Sequence, residues 1–489
     1  MIHRPSVRRA RFVFLAVTAV LVAPACSGGD DDASGGRPSL SPRGDDAPSL
    51  AITGVTVVDA SQGARSGVTV VVQGDRITAV GSDAAIPEGA VVLDGSGRYL
   101  IPGLWDAHVH LTYDPELTEA MPALFLDWGV TSVRDTGGLL ENLLPAVDAM
   151  RASGADAPRV FFSGPLLDGE HVVYDGVGRP EIGAGNPTPQ AARAAVAALD
   201  SAGVDFVKVY EMVTPEVFEA LVDEADARGL PVASHVPLSM RARDVAPRVG
   251  SMEHFRNVEL DCASDAPALL EVRRAILAEH EGGEGAALRS RLHSLQRNPA
   301  IAAYDADTCR EVIASMTGTL QVPTLRLNAF SMAPPFAQPD WGDALDRLPA
   351  EVGSDWRVGE EGALQARADT TLGSWSLRLA GWVQEAGGRL GAGTDTPIGF
   401  ALPGYSLHDE LAMLVRAGLT PREALHAATV APAAFLGLDG EMGRVAEGYR
   451  GDMVLLGADP LEDIGNTRAI EAVVSRGRVV REGPPVPGG

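Results

Sequence analysis

Two histidines separated by one residue are the first candidates for chemistry in this sequence. They are His108 and His110 in the segment DAHVH. Because side chains alternate between the two faces of a β-strand, both imidazoles point to the same side if this segment is a strand. Imidazole is a common ligand of divalent metals in proteins. The pair therefore indicates a metal site, although two histidines of this spacing can also fill a polar pocket without metal.

Four further residues with metal-binding or acid–base chemistry follow along the chain, each near the end of a short apolar run. They are Lys208 in VDFVKVYE, His235 in ASHVP, His254 in MEHF and Asp395 in GTDTP. If these runs are parallel strands of one barrel, their carboxyl ends meet at the same mouth. We therefore expect these four residues and the two histidines to share one site.

Lys208 is the only lysine, and the other basic residues of the chain are arginines. In DFVKVYE, strand alternation directs Phe206, Lys208 and Tyr210 inward. A buried ammonium is costly unless it is paired, and burial lowers its pKa. A neutral amine can add CO2 to give an anionic oxygen ligand, whereas a guanidinium stays protonated. The alternatives are a chance exception to an arginine-rich composition and a lysine paired with Glu211 or Asp395.

The segments that must position these residues alternate between short apolar runs and helical patterns. The eight runs are LWDAHVHL, GVTSVRD, RVFFSG, VDFVKVYE, LPVASHV, GSMEHF, LQVPTLRL and RLGAGTD. One helix is predicted to begin at Thr214-Pro215 and end at Gly229, and another to begin at Thr420-Pro421. This alternation predicts an α/β fold with a TIM (β/α)8 barrel, whose functional residues follow the strands.

Strand-rich segments enclose this middle region. Residues 50–100 and 438–484 contain β-branched runs broken by Gly and Asp turns, which predicts that the two ends pair into one small β domain. The barrel domain would then span residues 101–437. Two long connections, residues 260–316 and 328–356, are either lids over the barrel mouth or surface insertions.

The charge of the chain restricts its partners. Its 489 residues carry a formal net charge of −25. Such a charge repels nucleic acid and anionic lipid head groups, so we expect no nucleic-acid partner and no membrane contact through a basic surface.

The N-terminus has the composition of an export signal, residues 1–25, followed by a Gly-, Ser-, Asp- and Pro-rich flexible tether, residues 26–49. It resembles a bacterial lipoprotein signal, in which Cys26 is acylated and anchors the protein in the cell envelope. The alternative is secretion after ordinary cleavage. Export places Cys262 and Cys309 in an oxidising compartment, where they either form a disulfide or remain buried thiols.

Taken in order, the motifs of this chain resemble the amidohydrolase superfamily of metal-dependent hydrolases. They are LIPGLWDAHVHL, VKVY, SHVP, EHF and GTDTP, then LHDELAMLVRAGLTPREALHAATVAPAAFLGL and GRVAEGYRGDMVLLGADPLEDI. The chain is most similar to the imidazolonepropionase-like and Xaa-Pro dipeptidase-like branch, over residues 50–482. The resemblance implies a distorted TIM barrel with a small β-sandwich built from both termini.

The resemblance also implies a role for each of six residues. They are His108, His110, Lys208, His235, His254 and Asp395. The first two histidines would hold the more buried of two divalent ions, zinc in our expectation, and the other two the more exposed ion. The aspartate would complete the first site, and a CO2-derived carbamate on the lysine would bridge both ions.

Two cations that share a bridging water would lower its pKa, generate a hydroxide nucleophile and polarise a substrate carbonyl. Asp395 would take the proton as general base and deliver it to the leaving amine as general acid. We therefore expect hydrolysis of a carbon–nitrogen bond in a peptide-like, N-acyl or lactam substrate. The alternatives are a mononuclear deaminase or cyclic-imide hydrolase, and a non-enzymatic surface lipoprotein that binds a small ligand.

Three residues are candidates for contact with a small-molecule substrate. Tyr210 lies one inward step beyond Lys208 and is either a hydrogen-bond donor to the substrate or a core aromatic residue. His171 follows the third predicted strand and is otherwise a solvated loop histidine. His408 follows GYS near the predicted mouth, and its alternative is a structural role. Barrels of this family often associate, so a homo-oligomer is a further expectation.

Overall fold

Short β-branched and apolar runs form the strands of this chain, as their side-chain alternation predicts. The computed structural model describes residues 49–279, 285–365 and 369–483. The predicted export signal, Cys26 and all but the last residue of the predicted tether lie outside these ranges. All described residues belong to one of the chain's two compact units, residues 36–489. No helix within the described ranges has both the length and the apolar character needed to cross a membrane.

The described residues form strands at both ends and an alternation of strands and helices between them. The strands are β1 (Leu50–Asp59), β2 (Gly63–Gln73), β3 (Arg76–Gly81), β4 (Val91–Asp94), β5 (Tyr99–Pro102), β6 (Leu104–Val109), β7 (Val130–Asp135), β8 (Arg159–Phe162), β9 (Leu166–Asp168), β10 (Gly183–Gly185), β11 (Val207–Val209), β12 (Val232–Ser234), β13 (Ser251–Glu253), β14 (Leu320–Val322), β15 (Arg389–Leu390), β16 (Met453–Leu456), β17 (Ile470–Ser475) and β18 (Arg478–Glu482). The helices are α1 (Met121–Asp127), α2 (Leu140–Ala152), α3 (Pro189–Ser201), α4 (Pro215–Ala227), α5 (Ala242–Val245), α6 (Val258–Asp261), α7 (Ala266–Ala278), α8 (Gly285–Ala302), α9 (Ala306–Met316), α10 (Leu325–Asn328), α11 (Trp341–Leu345), α12 (Ala350–Gln365), α13 (Thr371–Glu385), α14 (Tyr405–Arg416), α15 (Pro421–Ala427) and α16 (Val430–Phe435).

The two ends of the chain contribute to one eight-stranded sheet. Its order is β18-β17-β16-β5-β1-β2-β3, with β4 beside β1. Strand β5 pairs with β16 in antiparallel register, so that Leu100 lies opposite Leu455. Val57, Leu100 and Met453 belong to one buried apolar core that both ends build. The sandwich arrangement of this sheet stays a prediction.

Each of the eight predicted apolar runs contains a strand: β6, β7, β8, β11, β12, β13, β14 and β15. They lie in a three-stranded sheet, β6-β7-β8, and a seven-stranded sheet, β10-β9-β11-β12-β13-β14-β15. Adjacent strands in both sheets run parallel. The α/β class is therefore confirmed. The sequence did not predict β9 and β10, which lie outside the eight runs.

Backbone hydrogen bonds join the end of β6 to the segment after β15. The amide of Asp395 donates to the carbonyl oxygen of His108 at 2.8 Å, and the amide of His110 donates to that of Thr396 at 2.9 Å. The polar residues that follow β15 consequently lie beside the two histidines of DAHVH. Closure of the two parallel sheets into a barrel stays a prediction.

Helix-capping residues work as the sequence predicts. Thr214 precedes α4, and its hydroxyl accepts a hydrogen bond from the third helical amide, with Pro215 as the first helical residue. Gly229 follows α4 with a φ of 70°, a left-handed conformation that glycine adopts without strain. Thr420 caps α15 in a capping box, again with a proline, Pro421, at the first position.

The first long connection, residues 260–316, is mostly helical. It contains the end of α6 and helices α7, α8 and α9. Cys262 directly follows α6 and forms a disulfide with Cys309 in α9. The second connection, residues 328–356, begins at the last residue of α10 and contains α11 and the start of α12.

Candidate metal centre

Six predicted residues meet at the carboxyl ends of the parallel strands. The residues are His108, His110, Lys208, His235, His254 and Asp395, and all of them line one cavity of about 250 Å3. They come from the end of β6, from β11, and from the residues just after β12, β13 and β15. The parallel strands thus bring these six residues to one cavity.

One group of three potential ligands is tightly clustered. The Nε2 atoms of His108 and His110 each lie 3.2 Å from Oδ1 of Asp395. The ligand atoms of the three side chains lie within 4.8 Å of one another, and all three side chains are buried. Such a group can hold one divalent metal ion.

The other two histidines lie next to this group. The ring of His254 is 4.4 Å from that of His108 and 4.8 Å from that of His235, measured between ring centroids. The Nε2 atom of His254 is 4.0 Å from Oδ1 of Asp395. His235 and His254 therefore form a second pair of imidazoles at the same cavity.

The Nδ1 atom of each of the four imidazoles has a partner behind it. His108 contacts Oε2 of Glu253 at 2.7 Å, and His235 contacts Oε1 of Glu211 at 2.8 Å. The other two partners are the carbonyl oxygen of Gly137, 3.0 Å from His110, and the hydroxyl of Thr324, 2.6 Å from His254. Metal-binding histidines typically donate one ring N–H to such a group, which orients the ring and leaves the other nitrogen for the metal.

Two of these partners establish which nitrogen carries the proton. The carbonyl oxygen of Gly137 can only accept, so Nδ1 of His110 is the donor. The hydroxyl of Thr324 donates to the carbonyl oxygen of Pro323 at 2.8 Å, so it accepts from Nδ1 of His254. In the neutral tautomers of His110 and His254, the lone pair of Nε2 therefore faces the other ligands.

The protonation of the cavity fits a cation-binding site. Burial lowers the pKa of His254 well below its ordinary value, and burial together with the charge of Lys208 lowers the pKa of His235 to about 3. Burial also acts on His110, but the hydrogen bond and charge of Asp395 outweigh it and raise the pKa of His110.

Lys208 is fully buried, with none of its surface exposed. Its Nζ atom makes no hydrogen bond within the ranges that the structure describes. Burial lowers the pKa of Lys208 to about 8, although the Glu253 carboxylate acts in the opposite direction. No hydrogen bond joins Nζ to Glu211 or Asp395 in the described part of the chain, although the charges of both carboxylates also act to raise the pKa of Lys208. A buried amine of lowered pKa beside four imidazoles fits the carbamate ligand that the resemblance implies.

Glu253 was not singled out from the sequence, although it directly precedes His254. It accepts hydrogen bonds from Arg134 at 2.7 Å and from Ser251 at 2.7 Å, in addition to its contact with His108. Burial raises the pKa of Glu253, but Arg134 and Lys208 outweigh it and hold the pKa well below the ordinary value. The signal that could have identified this residue is a glutamate inside an otherwise buried strand.

Tyr210 lies on the cavity wall. Its ring centroid is 4.5 Å from that of His235, and it packs edge-to-face against Tyr174 at 5.8 Å. Burial raises the pKa of Tyr210 well above its ordinary value, so its hydroxyl is a phenol that can donate a hydrogen bond. Arg256, Arg289 and other wall residues were missed, because the loops and helices that carry them show no distinguishing pattern.

His171 and His408 do not belong to this set. Neither is among the described residues that line the cavity. His408 is buried in α14, where Nδ1 contacts the Thr467 hydroxyl at 2.8 Å and Nε2 contacts the carbonyl oxygen of Trp128 at 3.1 Å. Both ring nitrogens are thus used within the fold. The expectation that His408 contacts substrate is corrected to a structural role.

Comparison with known proteins identifies the family. Residues 348–480 match the model of the amidohydrolase family. The chain is 27% identical over 417 residues to an imidazolonepropionase of Rubrobacter xylanophilus, covering 80% of this chain and 84% of the relative. The chain is a member of the amidohydrolase superfamily. With its cluster of histidines and aspartate, this amidohydrolase is a metal-dependent hydrolase.

Solved structures agree with this amidohydrolase assignment. A Bifidobacterium longum protein assigned as a prolidase is 28% identical, with a TM-score of 0.61 over 89% of this chain and 96% of that one. A Xaa-Pro dipeptidase with bound methionine in its active site has a TM-score of 0.62 over 89% of this chain and 100% of that one. At 18% identity, the dipeptidase supports the fold alone.

Proposed function

We propose that this amidohydrolase is an exported, binuclear metal-dependent hydrolase of carbon–nitrogen bonds in small peptide-like, N-acyl or lactam substrates. The observation that carries the proposal is the buried amine of Lys208. It faces the same cavity as the four histidines and lacks a hydrogen-bond partner among the described residues. An amine kept in this state is suited to become an anionic carbamate between two cations.

The residues present fit two ions. His108, His110 and Asp395 would hold one ion, His235 and His254 the other, and the carbamate of Lys208 would contact both. When bound, divalent ions such as zinc would supply Lewis acidity, which polarises a carbonyl group and lowers the pKa of a shared water.

Asp395 would move the proton. Burial acts to raise the pKa of Asp395, but its neighbours His254, His108 and His110 outweigh burial and hold the pKa well below its ordinary value. As an anion it can accept a proton from the attacking water and then protonate the leaving nitrogen. Tyr210, from the same wall as His235, can donate a hydrogen bond to the oxygen on which negative charge develops.

The relatives support the type of bond. The names imidazolonepropionase and prolidase refer to enzymes that act on a cyclic substrate and on peptides that contain proline. The cavity of about 250 Å3 has room for a small molecule of this kind and not for a folded polypeptide. We therefore propose dipeptides, N-acyl amino acids and lactams as the substrate classes.

A mononuclear enzyme is the second candidate, either a deaminase or a cyclic-imide hydrolase. The observation that favours it is that only His108, His110 and Asp395, among the described residues, bring their ligand atoms within 4.8 Å of one another. A protein that only binds a small ligand is a further alternative, and turnover of any amide would contradict it.

We further propose that the parallel strands close into a distorted barrel, residues 101–437. The hydrogen bonds between β6 and the segment after β15 support closure on one side. The amide of Asp205 donates to the carbonyl oxygen of Phe162 at 2.9 Å, which supports continuity between β8 and β11 on the other.

Export through residues 1–25 and acylation of Cys26 are proposed from the sequence alone. The disulfide between Cys262 and Cys309 supports an oxidising compartment. Incorporation of labelled fatty acid by the full-length protein, and its loss in Cys26→Ser, tests the lipid anchor.

Removal of Lys208 tests the proposed function. We expect wild-type protein to bind about two zinc ions per chain and Lys208→Ala to lose most activity. Short carboxylates such as acetate should restore part of the activity of Lys208→Ala, because they can occupy the place of the carbamate. Lys208→Arg fills the space with a permanent cation, so carboxylates should not rescue it.

The measurements are metal content by mass spectrometry and hydrolysis rates over a panel of dipeptides, N-acyl amino acids and lactams. After growth in 13C-labelled CO2, a 13C resonance of a carbamate in the wild-type protein would detect the modified Lys208 directly. Full metal content and full turnover in Lys208→Arg would rule out the carbamate, and one tightly bound ion in the wild type would favour the mononuclear candidate.

A further inference from the structure

Helix α8 belongs to the long connection between β13 and β14, yet it reaches the metal centre. Arg289 and His293 lie four residues apart on α8, so they share one face of the helix. Both contact the same carboxylate, that of Glu211. The NH2 atom of Arg289 donates to Oε1 of Glu211 at 2.8 Å. The Nε2 atom of His293 is 3.0 Å from Oε2, an ion-pair distance without the alignment of a hydrogen bond.

Glu211 connects these two residues to a predicted metal ligand. Its Oε1 atom, which accepts from Arg289, is also 2.8 Å from Nδ1 of His235. The carboxylate is fully buried, so its orientation depends on these neighbours. A side-chain oxygen held 2.8 Å from Nδ1 fixes the orientation of the His235 ring and leaves Nε2 for a metal ion.

The neighbour of His293 sets its tautomer. Arg297, one helical turn further along α8, donates from NH2 to Nδ1 of His293 at 2.8 Å. A neutral His293 therefore carries its proton on Nε2, the atom that faces Glu211. Arg297, His293 and Glu211 thus form a chain of two polar contacts, of which the first is a hydrogen bond and the second an ion-pair distance.

The contacts behind the Nδ1 atom of His235 differ from those behind the Nδ1 atoms of the other three histidines. The Nδ1 partners of His108, His110 and His254 come from strands of the parallel sheets or the residues that follow them. Of the four Nδ1 partners, only Glu211, the partner of His235, is itself contacted by a helix of the 260–316 segment among the described residues. A change in the packing of α8 would therefore act on His235 first.

We propose that α8 is a positioning element for the second metal site, in which Arg289 and His293 hold Glu211 so that it orients His235. The inference rests on the binuclear site of the proposed function. Neither Arg289 nor His293 is required to touch a metal ion or reacting atoms for this role. Loss of either residue should weaken the ion at His235 and His254 and leave the ion at His108, His110 and Asp395 in place.

The test uses Arg289→Met and His293→Leu in the full chain. Cobalt(II) is titrated against a chelator, and the visible spectrum of each bound ion is followed. We expect the second ion to bind about 10- to 100-fold more weakly in both variants, the usual effect of removing a group that supports a metal ligand. The affinity and spectrum of the first ion should not change.

Two further variants separate positioning from a general structural effect. His293→Gln keeps a donor towards Glu211 and should retain most of the second-ion affinity. Arg274→Met is the matched control, since Arg274 also ties the same segment to its surroundings, through a 2.8 Å hydrogen bond to the carbonyl oxygen of Ser239. It does not contact Glu211, so both ions should bind as in the wild type.

The outcomes distinguish this inference from the function on which it rests. A single bound ion in the wild type contradicts the binuclear site itself. Two ions in the wild type, with unchanged second-ion affinity in Arg289→Met and His293→Leu, overturn the role of α8 alone. Equal weakening in Arg274→Met overturns it as well. If circular dichroism shows that Arg289→Met does not fold, His293→Leu decides.

Discussion

At the scale of single residues, the metal centre depends on groups one contact behind the imidazoles. Glu253 shows this most clearly, because it joins His108 to the buried Arg134. The guanidinium of Arg134 is fully buried and also donates to the carbonyl oxygen of Ala107 and the hydroxyl of Ser251. The carboxylate thus orients a predicted ligand and neutralises an internal charge at the same time.

Removal of this carboxylate should be costly. We expect Glu253→Leu to lower the free energy of unfolding of metal-free protein by about 3–5 kcal/mol, because Arg134 is left as an unpaired buried charge. The measurement is urea unfolding. The control is Asp307→Ala, which breaks an exposed pair with Arg310 and should cost less than about 1 kcal/mol. Equal effects in the two variants would contradict the argument from burial.

Tyr210→Phe tests the phenol hydroxyl while keeping the ring against His235. We expect kcat to fall by roughly 10²-fold, as for loss of one oxyanion donor, with metal content unchanged. Steady-state kinetics and metal analysis on the same preparation provide the measurement. Unchanged kcat would assign Tyr210 to the core.

At the scale of elements, the 260–316 segment is constrained by the disulfide between Cys262 and Cys309. The two residues are separated by 47 positions, and α7 and α8 lie between them. The cross-link therefore restricts the part of the chain that brings Arg289 to the cavity and His293 to Glu211.

The disulfide should contribute about 4 kcal/mol to stability through the restricted unfolded state of a loop of this length. We expect the double variant Cys262→Ser/Cys309→Ser to unfold at lower urea concentration by that amount. Wild-type protein treated with reductant should behave like the double variant. If reductant also lowers the stability of the double variant, the loss of stability has a cause other than the disulfide.

At the scale of the whole molecule, buried polar contacts tie the strand-rich ends to the middle of the chain. Arg159 of β8 pairs with Asp75, near the N-terminal strands, at 3.0 Å and with Asp452, beside β16, at 2.8 Å. His408 makes a similar connection between Trp128 and Thr467. The carbonyl of Trp128 can only accept, so Nε2 of His408 carries the proton of the neutral ring.

His408 should make stability depend on acid pH. Burial, with the charge of Arg468, lowers its pKa to about 3 in the folded protein from 6.5. The unfolded chain binds the proton first, so the stabilising contribution is complete above pH 6.5 and is lost as the pH falls towards 3. We expect wild-type unfolding free energy, relative to His408→Leu, to fall by about 1.4 kcal/mol per pH unit in this window. Urea unfolding between pH 7 and 4 measures this difference, and a constant difference would contradict it.

Local rules were sufficient for much of the fold and of the site. The period of two in DAHVH and DFVKVYE predicted which side chains share a face, because strand alternation depends only on backbone geometry. Thr214-Pro215 and Thr420-Pro421 predicted helix starts, because capping needs only neighbouring residues. His408 was misplaced because nearness to GYS in sequence does not determine the direction of a side chain on α14.

By itself, the sequence determined the strand ends, the helix caps and the six residues that could bind metal, since each depends on residue type and local spacing. Only the tertiary structure decided what lies behind those residues. Glu211 receives Arg289 from a helix 78 positions later in the chain, and Arg134 reaches Glu253 across 119 positions. Such contacts arise from packing between distant elements, for which a single sequence contains no periodic signal.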